Sequence, residues 1–350
     1  MLYVVLFFLF FAVLLYTLLG GADFGAGILE SFSSKKNRDI NRDVIYRVIG
    51  PVWETNHVWL IIVIVVLWVG FPIYFNAISI YLHIPLTLML IGITIRGISF
   101  VFRHYDAIKD ENTQRIYNAL FRIGSVVTPI FIGMTFGALV SGNIELIEEG
   151  GNQSFSAVYV MSWFNIFSLL IGVFFAALCA FLAAVFLIGE TDGAIRKMYS
   201  RKANIAVLAL VVIGFITLLY GYFSNRVFVL DFITNPYSVG AVVLSGILML
   251  PLRKSISQRA RVKTRILAAM QVILVLFAAF IAHFPNFIIT TTEEVSLMES
   301  TAPDSVINVI GGALILGGII ILPGVFHLFK AFGMIKSFKK SSKTTSGIKE

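Results

Sequence analysis

The chain has 350 residues, of which 58% are hydrophobic and 13% charged, with a mean hydropathy of +0.90 and a formal net charge of +8. Soluble domains carry about 45–50% apolar and about 25% charged residues, so a soluble globular fold is excluded and an all-α, polytopic membrane helix bundle is expected. The single cysteine, Cys179, lies in an apolar run and leaves no disulfide framework or thiolate-held metal within the chain.

Runs long enough to cross a bilayer, about 20 residues each, predict nine spans at 2–22, 57–76, 78–101, 123–141, 161–187, 204–223, 237–252, 266–284 and 306–329. The first has no charged leader and exceeds the apolar core of a secretory signal, so insertion without cleavage is expected. It closes on Gly20-Gly21-Ala22-Asp23-Phe24-Gly25-Ala26-Gly27, with Asp23 at the mouth. The second opens on Gly50-Pro51-Val52-Trp53-Glu54-Thr55-Asn56-His57-Val58-Trp59-Leu60. This places a carboxylate, an imidazole and the indoles Trp53 and Trp59 beside a stretch with no charge as far as Phe75. On one helix, Glu54 and His57 share a face and fall within hydrogen-bonding reach. The third span ends near Arg96.

Small residues suit membrane helix packing because they let backbones approach. Gly124, Ser125, Gly133, Gly137 and Gly142 are expected to form such a seam in span four, and Gly311, Gly312, Gly317 and Gly318 another in span nine. Pro129 and Pro323 lie inside spans, where local kinks are expected. Residues 1–335 form the membrane unit, and 336–350, rich in Lys, Ser and Thr, read as a disordered cytoplasmic tail.

Charge tests the layout independently, because Lys and Arg accumulate in cytoplasmic loops. With nine spans, all but one of the 27 Lys and Arg residues fall on one side; Arg226 is the exception. The opposite loops carry Glu145, Glu148, Glu149, Asp231, Glu293, Glu294, Glu299 and Asp304. The amino terminus is therefore expected outside and the carboxyl terminus in the cytoplasm. The basic residues are divided among short loops, which suits attraction to anionic lipid and not a nucleic-acid surface.

Ionisable groups near a membrane are costly and mark functional positions. Glu54, His57, Asp23 and Arg96 are expected to converge at the cytoplasmic edge. They form either a way in for protons, with Arg96 as counter-charge, or an ion-pair cluster pinning three helix ends. Paired imidazoles can ligate a b-type haem, and His57 with His327, or His83 with His283, share a depth. Nothing beyond depth supports either pair. His104 is expected in a solvated loop.

The run from Gly50 to Leu60 resembles the signature of subunit II of cytochrome bd-type quinol oxidases. Asp23-Phe24-Gly25-Ala26-Gly27, Arg96, Arg103, Gly124-Ser125, Pro129, Gly133, Phe136-Gly137, Gly142, Asn165, Phe284-Pro285, Asn308 and Pro323 agree in order and spacing. The similarity covers essentially the whole chain, and nine spans with an outside amino terminus is that family's topology. Many members carry a second acidic residue where this chain has Gly20, so a path relying on two carboxylates in span one is not implied.

The resemblance implies a subunit of a quinol:dioxygen oxidoreductase, a respiratory terminal oxidase of the bacterial plasma membrane that couples quinol oxidation to reduction of dioxygen to water. Haem b and haem d, or a second b-type pair, are expected in the partner subunit I, with none held by this chain alone. Subunit I forms an obligate heterodimer with it, and a small single-span accessory subunit is compatible with the family. Glu54, Asp23 and His57 are expected on a proton route, Arg96 as their electrostatic partner, and Trp53 and Trp59 as packing at the helix mouth. A secondary transporter and a purely structural scaffold subunit are the alternatives.

Overall fold

A computed structural model describes residues 1–50, 53–105, 110–147, 152–258 and 261–331. The expected tail at 336–350, with its boundary, and Glu148 and Glu149 lie outside these. Twelve helices follow one another: α1 (Leu2–Ser31), α2 (Lys35–Ile49), α3 (Trp53–Gly70), α4 (Pro72–Tyr81), α5 (His83–Tyr105), α6 (Glu111–Leu139), α7 (Ile166–Glu190), α8 (Gly193–Phe223), α9 (Val227–Thr234), α10 (Pro236–Ser257), α11 (Arg261–His283) and α12 (Asp304–Ala331). Among the described residues nine segments are long and apolar enough to cross a membrane, one for each expected span.

Three departures from the expected layout have a local reason. α1 does not stop at residue 22. A π-turn at Tyr16–Gly20 carries the helix through the glycine-rich segment to Ser31. Asp23 is thereby eight residues inside the helix, about 12 Å from its end at 1.5 Å per residue, and not at the mouth. Span two breaks at Phe71, because Pro72 cannot continue α3 but is well suited to begin α4. The first connection contains α2, whose residues Val44, Ile45, Val48 and Ile49 are buried against the core. That spacing is an amphipathic stripe.

α7 is the centre of the bundle, packed by the second half of α1, by α6, α8 and α11. Its small residues Gly172, Ala176, Ala180, Ala183 and Ala184 give those neighbours room. A β-carbon on Gly133 of α6 would lie 2.7 Å from Gly172 Cα, and one on Gly137 equally close to Ser168 Cα. The expected seam in α6 is thus present at Gly133 and Gly137 toward α7, while Gly124 makes its close approach to Gly92 and Arg96 of α5. Gly142 is not part of it: its φ of +71° serves the turn after α6. In α12 only Gly311 and Gly318 face α1, while Gly312 has open space around it and Gly317 only a side chain of its own helix. Pro129 and Pro323 sit within continuous helices.

The two ends of the bundle collect opposite charges. At the basic end Lys202 reaches Leu29 O at 2.9 Å and Ser33 Oγ at 2.5 Å. Asn41 joins Ser33 to Tyr199 there, and Arg265 pairs with Glu190 at 2.6 Å. The segments following α1, α7 and α10 therefore meet on one face. His104 is not in a solvated loop: α5 extends past residue 101, and the ring stacks on Tyr46 at 3.8 Å with its Nδ1 at 2.9 Å from Phe100 O.

The acidic end carries a two-stranded antiparallel hairpin, β1 (Ile288–Ile289) and β2 (Glu294–Val295), in register Ile288 to Val295. Tyr74 of α4 anchors it, donating to Val295 O at 2.5 Å and accepting from Phe287 N–H at 3.0 Å. Burial pushes the Tyr74 hydroxyl up to about 12 against the opposing pull of the Phe287 and Ile288 amides, so it stays a neutral donor. Arg226, the isolated basic residue on this side, donates to Ser141 O and Asn143 Oδ1 at 2.5 and 2.6 Å and ties the turn after α6 to the start of α9.

Candidate functional site

The glycines at 25 and 27 decide where Asp23 goes. A β-carbon at Gly25 would collide with the Cys179 carbonyl of α7, and one at Gly27 with the Ser125 side chain of α6. Close approach on those two sides leaves Asp23 facing α5, where it is 1% exposed. Arg96 meets it there, with Nη2 donating to Asp23 Oδ1 at 2.5 Å and to Asp23 O at 3.1 Å. Its Nε donates to Ser125 Oγ at 3.1 Å, and the guanidinium lies 5.1 and 5.2 Å from the Phe24 and Phe121 ring centroids.

This degree of satisfaction matters energetically. A buried ion pair offsets its desolvation only when extra hydrogen bonds occupy the remaining donors and acceptors, and π-faces add to the binding of a desolvated cation. The guanidinium meets both conditions. The carboxylate does not, because Asp23 Oδ2 has no hydrogen-bond partner among the described residues.

A second rung lies seven residues further along both helices. Arg103 Nη1 donates to Glu30 Oε1 and Oε2 at 3.2 and 3.1 Å, with both side chains buried and the guanidinium 3.9 Å from the Phe121 centroid. Glu30 was not among the expected site residues. The signal for it is the shared spacing: Asp23 to Glu30 and Arg96 to Arg103 are each seven apart, two helical turns, on α1 and α5 alike.

The segment Trp53–Trp59 opens α3 and divides its side chains between two environments. His57 turns inward, its ring 6.2 Å from Tyr16 and 6.0 Å from Phe24, and neither ring nitrogen has a hydrogen-bond partner among the described residues. Trp59 is buried edge-on to Phe11, and Trp53 packs on Phe100 and fills the space beside Gly97. Glu54 is exposed and forms no hydrogen bond or ion pair among the described residues. The expected Glu54–His57 hydrogen bond is therefore not formed, since the two side chains leave the helix toward different surroundings.

Asp23, Arg96 and His57 are thus gathered in the interior, with Glu54 apart from them on the surface of α3. Tyr16 joins the interior group with an unpartnered hydroxyl. Sequence reasoning passed over Tyr16, because an apolar span gives a lone hydroxyl no pattern, and read Ser125 as packing.

His57, His83 and His283 each lie in separate surroundings. His57 is enclosed by Tyr16 and Phe24, His83 binds Ile80 O at 2.8 Å, and His283 sits between Asp231 at 2.5 Å and Glu294 at 3.4 Å. Among the described residues no group of three or more His, Cys, Asp or Glu could hold a metal ion.

Comparison with known proteins agrees with this architecture. Residues 1–332 match the family model described as cytochrome bd terminal oxidase subunit II. Cytochrome bd ubiquinol oxidase subunit 2 of Bacillus subtilis is 26% identical over 195 residues, 55% of each chain. Cytochrome bd-I ubiquinol oxidase subunit 2 of Escherichia coli K12 is 27% identical over 195 residues, 55% of this chain and 49% of that one. The match therefore spans about half the length of these relatives. In structure, bd oxidase from Geobacillus thermodenitrificans superposes with a TM-score of 0.74 at 17% identity, covering 94% of this chain and 97% of the other. With a family model matched from the first residue to 332 and the corresponding bundle of nine apolar segments, the chain belongs to the cytochrome bd terminal oxidase subunit II family.

Proposed function

We propose that this chain serves as the subunit of a quinol:dioxygen oxidoreductase that carries protons from the cytoplasm toward a haem-bearing subunit I. It packs against that subunit in the bacterial plasma membrane. The observation that carries the reading is Glu54: an exposed carboxylate in the first turn of a membrane helix with no partner among the described residues. A carboxylate there is expensive, and one that clamps none of the described residues is better explained by contact with water or with another subunit.

Behind it lie His57, Tyr16 and Asp23 Oδ2, buried polar atoms without partners among the described residues. Such atoms recruit water, and together they supply acceptors and donors leading inward from α3 to α1. Arg96 holds one oxygen of Asp23 and leaves the other available. No redox step is assigned to this chain. Quinol and dioxygen chemistry belongs to the partner, and the membrane unit 1–335 is the part that meets it. Docking to the partner alone, the scaffold alternative, leaves the unpartnered interior atoms without a role.

Glu54→Gln keeps shape and hydrogen bonding and removes titration. The assembled complex should retain its haem content and thermal stability, and its turnover should fall by about 10²-fold, the lower end of what a positioned proton-transfer group contributes. The deficit should deepen as pH rises, because bulk protons then become scarce and a relay matters more. Unchanged turnover per haem at every pH would remove Glu54 from the route.

Orientation has its own test. Reporter fusions after Ser34 and Lys340 should register as cytoplasmic and one after Thr301 as external. A reversed signal at any of the three would overturn the outside amino terminus.

A further inference from the structure

At the basic face, the opening turns of α8 and the closing turns of α10 enclose a cavity of about 700 Å³. α8 packs along α7 and α10 along α11, so each is backed by a different neighbour. Arg196 bridges them at this end, its Nη2 donating to Ile256 O at 3.4 Å. Arg196, Lys197 and Arg253 all line the cavity, with no carboxylate among the lining residues. Lys197 and Arg253 are exposed and make no ion pair or hydrogen bond among the described residues. Asn204 and Ser257 add neutral hydrogen-bonding groups to the wall.

Two apolar stripes lead away from this cluster of cations. From Asn204, helical spacing runs through Leu208, Val211 and Phe215 on α8; from Arg253 it runs through Leu250, Ile247 and Val243 on α10. All six apolar residues are exposed. A free anion would use the cations and nothing else. An amphiphile would use both, its charged end in the cavity and its chains along the stripes.

We propose that this cavity is a headgroup site for an anionic phospholipid of the leaflet on the basic face. The phosphate is held among Arg196, Lys197 and Arg253, and the acyl chains lie along α8 and α10. Basic pockets between membrane helices bind such headgroups, and each Lys or Arg near an anionic lipid surface contributes about 1 kcal/mol. The site is independent of the proton-route reading, since it shares no residue with it.

Native mass spectrometry of the full chain, purified with whatever subunits accompany it, tests the site with phosphatidylglycerol, phosphatidylcholine and inorganic phosphate as probes. One phosphatidylglycerol should be retained per chain in preference to phosphatidylcholine. The double variant Lys197→Gln/Arg253→Gln, changed only at exposed side chains, should hold it about thirtyfold more weakly, from two cations at the contribution given above. Arg201→Gln/Lys254→Gln removes two charges from the same face but outside the cavity and should retain the lipid as the parent does. Equal retention of the two lipids by the parent chain, equal loss in both double variants, or release of phosphatidylglycerol by millimolar inorganic phosphate would each overturn the proposal.

Discussion

Arg96→Met should destabilise the folded chain by about 3–5 kcal/mol, the cost of leaving one member of a buried ion pair without its counter-charge. Asp23 is 1% exposed, and no second cation of α5 is placed to replace the guanidinium. The nearest basic neighbour of that helix, Arg103, is committed to Glu30. Restoring neutrality distinguishes this account from simple loss of packing. The double variant Asp23→Asn/Arg96→Met removes both charges and should recover most of the loss, because neutral replacement of a whole buried pair is often tolerated. Thermal unfolding of the purified complex in detergent, compared across single and double variants, reads the coupling directly. A double variant as unstable as the sum of the singles would mean the two side chains act separately.

Two glycine substitutions should move stability in opposite directions. Gly25→Val puts branched carbon against the Cys179 carbonyl and the Ala183 side chain. The obstacle includes backbone, which cannot rotate aside, so the cost should reach about 3 kcal/mol, the upper range for overpacking. It would be accompanied by separation of α1 from α7 and poor accumulation in the membrane. Gly312→Ala places its methyl in open space on α12 and should stabilise by about 0.5–1 kcal/mol through reduced backbone freedom in the unfolded chain. The same unfolding measurement serves both, and a neutral Gly25→Val would show that the α1–α7 contact is looser than the backbone spacing requires.

Much of the fold was legible because a membrane makes composition and geometry nearly the same thing. Every expected span has its helix, and the placement of Lys and Arg fixed their parity without any structural input. Depth was not legible. Hydropathy reads Asp23 and Arg96 as boundaries, since each interrupts an apolar run, whereas a paired charge can lie well inside one. The helix α2 was missed because its basic face dominates the average over Lys35–Ile49 and conceals the buried stripe of Val44, Ile45, Val48 and Ile49. The candidate site was legible in its residue types and only partly in its grouping. Sequence spacing places Glu54 near His57, but it cannot say that one side chain turns outward and the other inward.

The two buried rungs between α1 and α5 have the same sequence offset: Asp23 to Arg96 and Glu30 to Arg103 are each 73 residues apart. When α1 leaves the ribosome it carries two carboxylates whose counter-charges have not yet been made. At about 5–20 residues per second, the wait is about 4–15 s. Until α5 arrives, α1 has no satisfactory resting place in lipid, so it must stay with the insertion machinery or near the headgroups. α1 then reaches its final position no earlier than α5 does. The paired offset also works as a vernier: sliding α1 by one turn against α5 would break both rungs at once.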